Sequence, residues 1–199
     1  EGRAMIEIVH DLAPGAQIFF NTSNGGQATY ATAINNLASV SNCDIIVDDV
    51  RYFEEPFYMD GLIAQACDNV FNNGVPYFAS AGNYAQSSYE SVYRNSGDAN
   101  NSHDFDPGAG VDVQQTITVN SGSRINLTLQ WDDPWGSITP NGAATDLDVF
   151  LINSGGTTVA SSTDANIGND PTEFISITAP GGGGTFTYRI MITRPAGPA

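Results

Sequence analysis

An apolar run, Val75-Pro-Tyr-Phe-Ala79, passes directly into Ser80-Ala81-Gly82-Asn83. A strand that stops at glycine and an amide side chain puts a hydrogen-bond donor at the carboxyl edge of a sheet. Open parallel sheets place their chemistry at that edge. There the amide of Asn83 can stabilise negative charge developing on oxygen during acyl transfer. Gly-Asn is also ordinary turn chemistry, so on these residues alone both readings stand. The second polar group is carboxylate. Asp132 and Asp133 follow a strand-like run ending in Trp131, and Asp146 and Asp148 share one strand face because side chains alternate with period two. Asp164, Asn166 and Asp170 lie close by in sequence. Hard oxygen ligands in this number suit Ca2+. No Asp-x-Asp-x-Asp-Gly loop closed by glutamate is present, so an EF-hand is excluded. Asp132, Asp133, Asp146 and Asp148 are therefore candidate Ca2+ ligands, with solvated turn aspartates as the alternative. Trp131 and Trp135 flank the acidic pair, as a sugar platform or as core packing.

The elements that must position these groups change character along the chain. Up to about residue 83, helix and strand patterns alternate. Met5, Ile8, Val9 and Leu12 follow the spacing of a buried helix face, and Pro14-Gly15 ends it. Gln17 to Phe20 reads as a short strand. Asn24-Gly25-Gly26 opens a second helix whose apolar face is Tyr30, Ile34, Leu37 and Ala38. Asp44 to Val50 is a strand, Met59 to Val70 a third helix capped at Asn73-Gly74, and Val75 to Ala79 another strand. Strands separated by helices of this length imply a parallel sheet. Residues 84–111 are polar, rich in Gly, Asn and Ser, and read as a linker. From Asp112 the alternation is by twos, in Thr116–Val119, Ile125–Trp131, Leu147–Leu151, Phe174–Ile177 and Phe186–Ile192. That is the pattern of an antiparallel, jelly-roll-like β-sandwich. The expected fold class is α/β plus all-β: a partial α/β domain at 1–83, a linker at 84–111 and a sandwich at 112–199. Gly181 to Gly184 reads as a hairpin loop rather than a phosphate cradle, since no helix follows it.

Composition narrows the partners. Twenty-two acidic residues stand against six basic ones, all arginine, for a formal net charge of -16. Such a surface argues against nucleic acid and anionic membranes, and suits a secreted protein or one that binds cations. No apolar run approaches 18 residues, so no transmembrane helix is expected. The chain begins at Glu1 already inside a helical pattern, which predicts a piece of a longer precursor. Cys43 and Cys67 are the only cysteines, and two do not fix a compartment.

Four segments together carry a resemblance: Glu1-Gly-Arg-Ala-Met-Ile-Glu7, Ala13-Pro-Gly-Ala16, Asp44-Ile-Ile-Val-Asp48, and Val75 through Asn83. In order and spacing, residues 1–83 resemble the middle of the catalytic domain of the subtilisin/sedolisin superfamily of serine peptidases. The resemblance implies that Asn83 is the oxyanion donor. It places Glu1 where the sedolisin branch has its catalytic glutamate and the subtilisin branch its histidine. The sedolisin branch expects an aspartate four residues on, and this chain has Met5. A carboxylate base needs an orienting partner to reach a useful pKa, which methionine cannot supply. The family's Gly-Thr-Ser nucleophile motif does not occur: Gly156-Thr157 is followed by Thr158. His10, beside Asp11 at a helix end, reads as a surface or capping residue, and His103 has no serine motif beside it.

The second unit resembles the bacterial pre-peptidase C-terminal type of sandwich, through Asp146-Leu-Asp-Val-Phe-Leu-Ile152 and Val159-Ala-Ser-Ser162. Together the two resemblances imply a fragment of a secreted serine endopeptidase acting on protein or peptide substrates, with an inserted sandwich, inactive as the isolated chain. The rival expectation is a non-enzymatic extracellular protein, structural or adhesive, that self-associates through the open edge of its half-sheet.

Overall fold

The structure, a computed structural model, describes residues 2–84 and 87–198. The chain is mixed α/β and rich in sheet, with three helices and eight strands among the described residues. It divides into two compact units. One comprises Glu1–Glu55 and Asp60–Ser88; the other comprises Pro56–Met59 and Tyr89–Ala199. Much of the polar stretch expected as linker therefore belongs to the second unit. So does the short Pro56–Met59 segment, where the Phe57 N–H donates to Oε1 of the largely buried Gln130 at 2.9 Å.

The first unit contains α1 (Gly2–Leu12), α2 (Gln27–Ser39), β1 (Ile46–Asp48), α3 (Leu62–Asn72) and β2 (Tyr77–Ala79). β1 and β2 pair in parallel, Ile46 opposite Tyr77 and Asp48 opposite Ala79. Their crossover runs through α3, as parallel strands require. Helices α2 and α3 cover one face, and Tyr30, Ala33, Ile34, Ile46, Ile63, Ala66 and Val70 form the core there. Alternation sends Val47 and Phe78 the other way, where they are 50% and 58% exposed. α2 starts after Gly26 at φ +85, a backbone conformation that glycine adopts without steric cost. α3 ends as its sequence dictates. Gly74, at φ +88, donates to the Phe71 carbonyl, and Val75 donates to that of Val70.

Two expectations fail in this unit. The helical spacing of α1 is real, but none of its residues is buried, and Ile8 and Leu12 are 61% and 84% exposed. Periodicity reports a face able to pack, not how fully it is covered, and here only Met5 of the stripe is half-buried. Gln17 to Phe20 joins no ladder, and Phe19 and Phe20 lie exposed. An apolar tetrapeptide becomes a strand only when a neighbour accepts its backbone hydrogen bonds.

The second unit is antiparallel throughout its ladders. Its strands are β3 (Gln115–Asn120), β4 (Arg124–Gln130), β5 (Asp146–Asn153), β6 (Thr158–Ser162), β7 (Thr172–Thr178) and β8 (Thr185–Ala196). One sheet runs β3-β8-β5-β6 and the other pairs β4 with β7. The inward residues Ile125, Val149, Leu151, Ile175 and Tyr188 form a single core drawn from both sheets. β6 has no counterpart among the expected strands, because Thr-Val-Ala-Ser-Ser offers only two apolar residues. The Gly181–Gly184 loop corrects a further expectation. It joins β7 to β8, which lie in different sheets, so it is a sheet-to-sheet crossing and not a hairpin. Gly182, Gly183 and Gly184 all take positive φ there.

Candidate functional site

The polar carboxyl edge of the β1–β2 pair is built by strand alternation. Asp49 and Ser80 follow Asp48 and Ala79, one step beyond each strand. The Ser80 hydroxyl donates to Oδ1 of Asp49 at 2.6 Å, and the Ser80 N–H to the Asp48 carbonyl at 3.3 Å. The next residues turn at Gly82, φ +70, and present Asn83 exposed. The Asn83 side chain is exposed at this edge. Arg51, just beyond β1, lays its guanidinium against two rings, 3.6 Å from the centroid of Tyr84 and 4.1 Å from that of Phe53. These cation–π contacts tie the segment after β1 to the segment after Asn83. The edge therefore offers an amide donor, a guanidinium and a hydroxyl–carboxylate pair. Asp49, Ser80 and Arg51 were missed in the sequence. Their signal was position alone, immediately past the ends of two apolar runs.

The base implied by the family resemblance cannot be placed, since Glu1 lies outside the described residues. Met5 sits on α1, half-buried. His10 is exposed in the last turn of α1. His103 is 3% exposed, within ring-contact distance of Tyr89, Tyr93 and Phe105. Its Nδ1 accepts from the Arg94 N–H at 3.1 Å, leaving Nε2 to donate to the Tyr89 hydroxyl at 3.2 Å. Burial, then the charge of Arg94, lowers its pKa. This is a neutral packed imidazole with both nitrogens occupied.

The four candidate metal ligands hold unlike positions. Oδ2 of Asp133 accepts from the Trp131 indole at 3.1 Å and from the Thr145 N–H at 2.9 Å, so it pins a loop. Asp132 is exposed. Oδ1 of Asp146 accepts from the Asn166 N–H at 3.0 Å. Burial, then the neighbouring Asp146, raises the pKa of Asp148. Among the described residues no three His, Cys, Asp or Glu side chains are grouped so as to hold a metal ion. Trp135 is 4% exposed, as packing requires.

Glu173 is the carboxylate that the motif reading overlooked. It occupies an inward position of β7, in phase with Ile175, and is 1% exposed. Its Oε1 accepts from the Asp164 N–H at 3.0 Å, while the buried Oε2 finds no partner among the described residues. Burial, augmented by the negative charges of Asp164 and Asp148 against the Ser162 hydrogen bond, pushes its pKa up to about 7. A glutamate on the apolar phase of a strand was the legible signal. Cys43 and Cys67 are both free thiols. No protein-family model matches this chain, and no match is found among curated proteins.

Proposed function

We propose that this chain supplies the oxyanion half of a subtilisin/sedolisin-like serine endopeptidase, secreted and acting on protein or peptide substrates, followed by a jelly-roll-like sandwich of the pre-peptidase C-terminal kind. One observation carries the reading. Ile46-Val-Asp48 and Tyr77-Phe-Ala79 lie side by side in parallel, and Asn83 follows the second strand, exposed beyond its carboxyl end. In acyl transfer that amide would donate to the oxygen of the tetrahedral intermediate, where it acts on charge absent from the ground state. The nucleophile would come from outside these 199 residues, which contain no Gly-Thr-Ser. The reading is tested by extending the coding sequence in both directions. A Gly-Thr-Ser codon run downstream, whose serine takes up a fluorophosphonate in the full-length protein, is the expected result. Its absence would remove the peptidase.

A second reading rests on a different observation. Ile8 and Leu12 of α1, with Val47 and Phe78 on the outer sheet face, leave apolar surface uncovered among the described residues. A structural or adhesive extracellular protein that self-associates would use such surface. Sedimentation of the chain across a hundredfold range of concentration separates the two, since the second requires a mass that rises with concentration.

A further inference from the structure

Three asparagines of this chain directly precede glycine: Asn24, Asn73 and Asn141. At such a pair the glycine nitrogen can attack the side-chain amide carbon, because a residue without Cβ leaves the approach open. The fold treats the three pairs differently. Asn73 is the C-cap of α3. Its Nδ2, the leaving group in such an attack, donates to the Asn69 carbonyl at 2.8 Å and to Asn69 Oδ1 at 3.3 Å. The attacking nitrogen, that of Gly74, donates to the Phe71 carbonyl at 2.9 Å. Both reacting groups are held by the helix end. Asn141 is held by packing. A Cβ on Gly142 would lie 2.0 Å from the Gly168 carbonyl carbon, so two backbones are in direct contact there. The Ala143 N–H donates to the Asn169 carbonyl and the Gly168 N–H to the Ala143 carbonyl, each at 2.8 Å. The Asn141 carbonyl accepts from the Thr139 hydroxyl at 3.0 Å. Turning the Asn141–Gly142 peptide onto its side chain must first open these contacts.

Asn24 and Gly25 lie exposed in the turn before α2. Two hydrogen bonds fix this turn. The Asn24 N–H donates to Thr22 Oγ1 at 3.2 Å, and the Tyr52 hydroxyl donates to the Ser23 carbonyl. Neither engages the Asn24 amide or the Gly25 nitrogen. On the helix side, a Cβ added at Gly26 would meet no atom within 4 Å, so the chain has room to rotate.

We propose that Asn24 is a self-modification site, at which the folded chain deamidates ahead of Asn73 and Asn141. The Gly25 nitrogen forms a bond to Asn24 Cγ as the Cγ–Nδ2 bond breaks. Nδ2 leaves as ammonia, taking the proton that the Gly25 nitrogen gives up. Water then opens the five-membered imide at either carbonyl, leaving aspartate or isoaspartate. The sum consumes one water and releases one ammonia, with no change of oxidation state. Either product places a carboxylate just ahead of α2, where the helix dipole favours negative charge. Isoaspartate also adds a backbone carbon between Ser23, tethered by Tyr52, and Gly26, whose carbonyl accepts the Tyr30 N–H at 3.1 Å. The site is independent of the peptidase reading and stands or falls without it.

Cleavage after arginine separates the three asparagines: residues 4–51 hold Asn24, 52–94 hold Asn73 and 125–189 hold Asn141. The test incubates the full chain at pH 8, native and in guanidinium chloride, digests it with trypsin and follows the gain of about one dalton in each peptide. Denatured, the three peptides should convert at rates within a few-fold of one another. Native, the 4–51 peptide should convert at least about tenfold faster than the other two, whose reaction waits on local opening. A protein isoaspartyl methyltransferase should label the 4–51 peptide, and Asn24→Gln should abolish both signals there. Three results would each overturn the proposal: another of the peptides keeping pace with 4–51 in the native chain; a native 4–51 peptide unconverted over the time in which half of the denatured one converts; or a mass gain in 4–51 that survives Asn24→Gln.

Discussion

Two side chains illustrate how a single polar group sets behaviour. Asn83 would act only on transition-state charge. In a full-length peptidase of the proposed kind, Asn83→Ala should lower kcat with KM nearly unchanged. A loss of about a hundredfold or more is the scale known for a subtilisin oxyanion donor, rather than one obtained from this chain. A defect confined to KM would assign Asn83 to substrate binding instead. Glu173 is governed by the opposite logic, because its neutral form is the one that folding favours. Its folded pKa of about 7 lies above the model-peptide value of 4.5. The folded state therefore holds a proton that the unfolded state releases between those values. The resulting stabilisation is fully present below about pH 4.5 and is lost as pH rises through about 7, a change on the order of 3 kcal/mol. Chemical denaturation of the chain at pH 5 and pH 8 should show the second unit less stable at the higher pH. Glu173→Gln should flatten that dependence, since the amide cannot ionise. An equal slope in the variant would assign the pH effect to other carboxylates.

Elements were legible where local chemistry and packing agree. α3 could be read from the apolar face Met59, Leu62, Ile63, Ala66 and Val70 and from Asn73-Gly74 behind it; the structure buries Ile63, Ala66 and Val70, while Leu62 is 46% exposed and Met59 precedes the helix. The alternating runs of β4, β5 and β8 were equally plain, since one face of each meets the sandwich core. Legibility failed where partners decide. Gln17 to Phe20 has strand composition but no ladder, and α1 has an apolar stripe whose Ile8 and Leu12 stay exposed. At the candidate site, Asn83 stands out in the sequence because a glycine and an amide punctuate an apolar strand. The cluster in which the Tyr30 and Tyr77 phenols donate to Asp48 does not, because it joins residues 18 and 29 positions apart through tertiary packing. One element-scale consequence follows from Gly74. An added Cβ meets no atom within 4 Å, so space is not the constraint; the backbone at φ +88 is. Gly74→Ala should then destabilise the first unit by roughly 1 kcal/mol, the cost of a left-handed conformation for an L side chain. A neutral result in urea denaturation would mean that the helix end relaxes to another cap.

At the scale of the whole molecule, charge is the dominant fact. The formal net charge is -16, and Arg3 and Glu7, which pair along α1, are both well exposed. The arginines of the sandwich are directed elsewhere. Arg124 donates to Ser176, Arg189 to Gln114 and the Asn153 carbonyl, and Arg194 to the Pro198 carbonyl while lying over the Tyr93 ring. None of these contacts is to a carboxylate, so these arginines form no direct pair with Asp132, Asp133, Asp146 or Asp148 in them. The β5–β8 register shifts between Asp146 and Asp148, which interrupts the ladder where two of these charges sit. Ca2+ ligated by Asp146 and Asp148, with Asp132 and Asp133 as the further candidates, would relieve the repulsion and stabilise the fold by mass action. The described side chains are not already grouped around an ion, so binding must include some local rearrangement and the affinity should be modest. About 5 mM CaCl2 should raise the Tm of the full chain by a few degrees beyond NaCl of equal ionic strength, which controls for screening. Asp146→Asn should remove most of the difference. Equal melting curves in the two salts, with no heat of binding by calorimetry, would leave these aspartates as solvated turn residues whose repulsion is met by diffuse counterions alone.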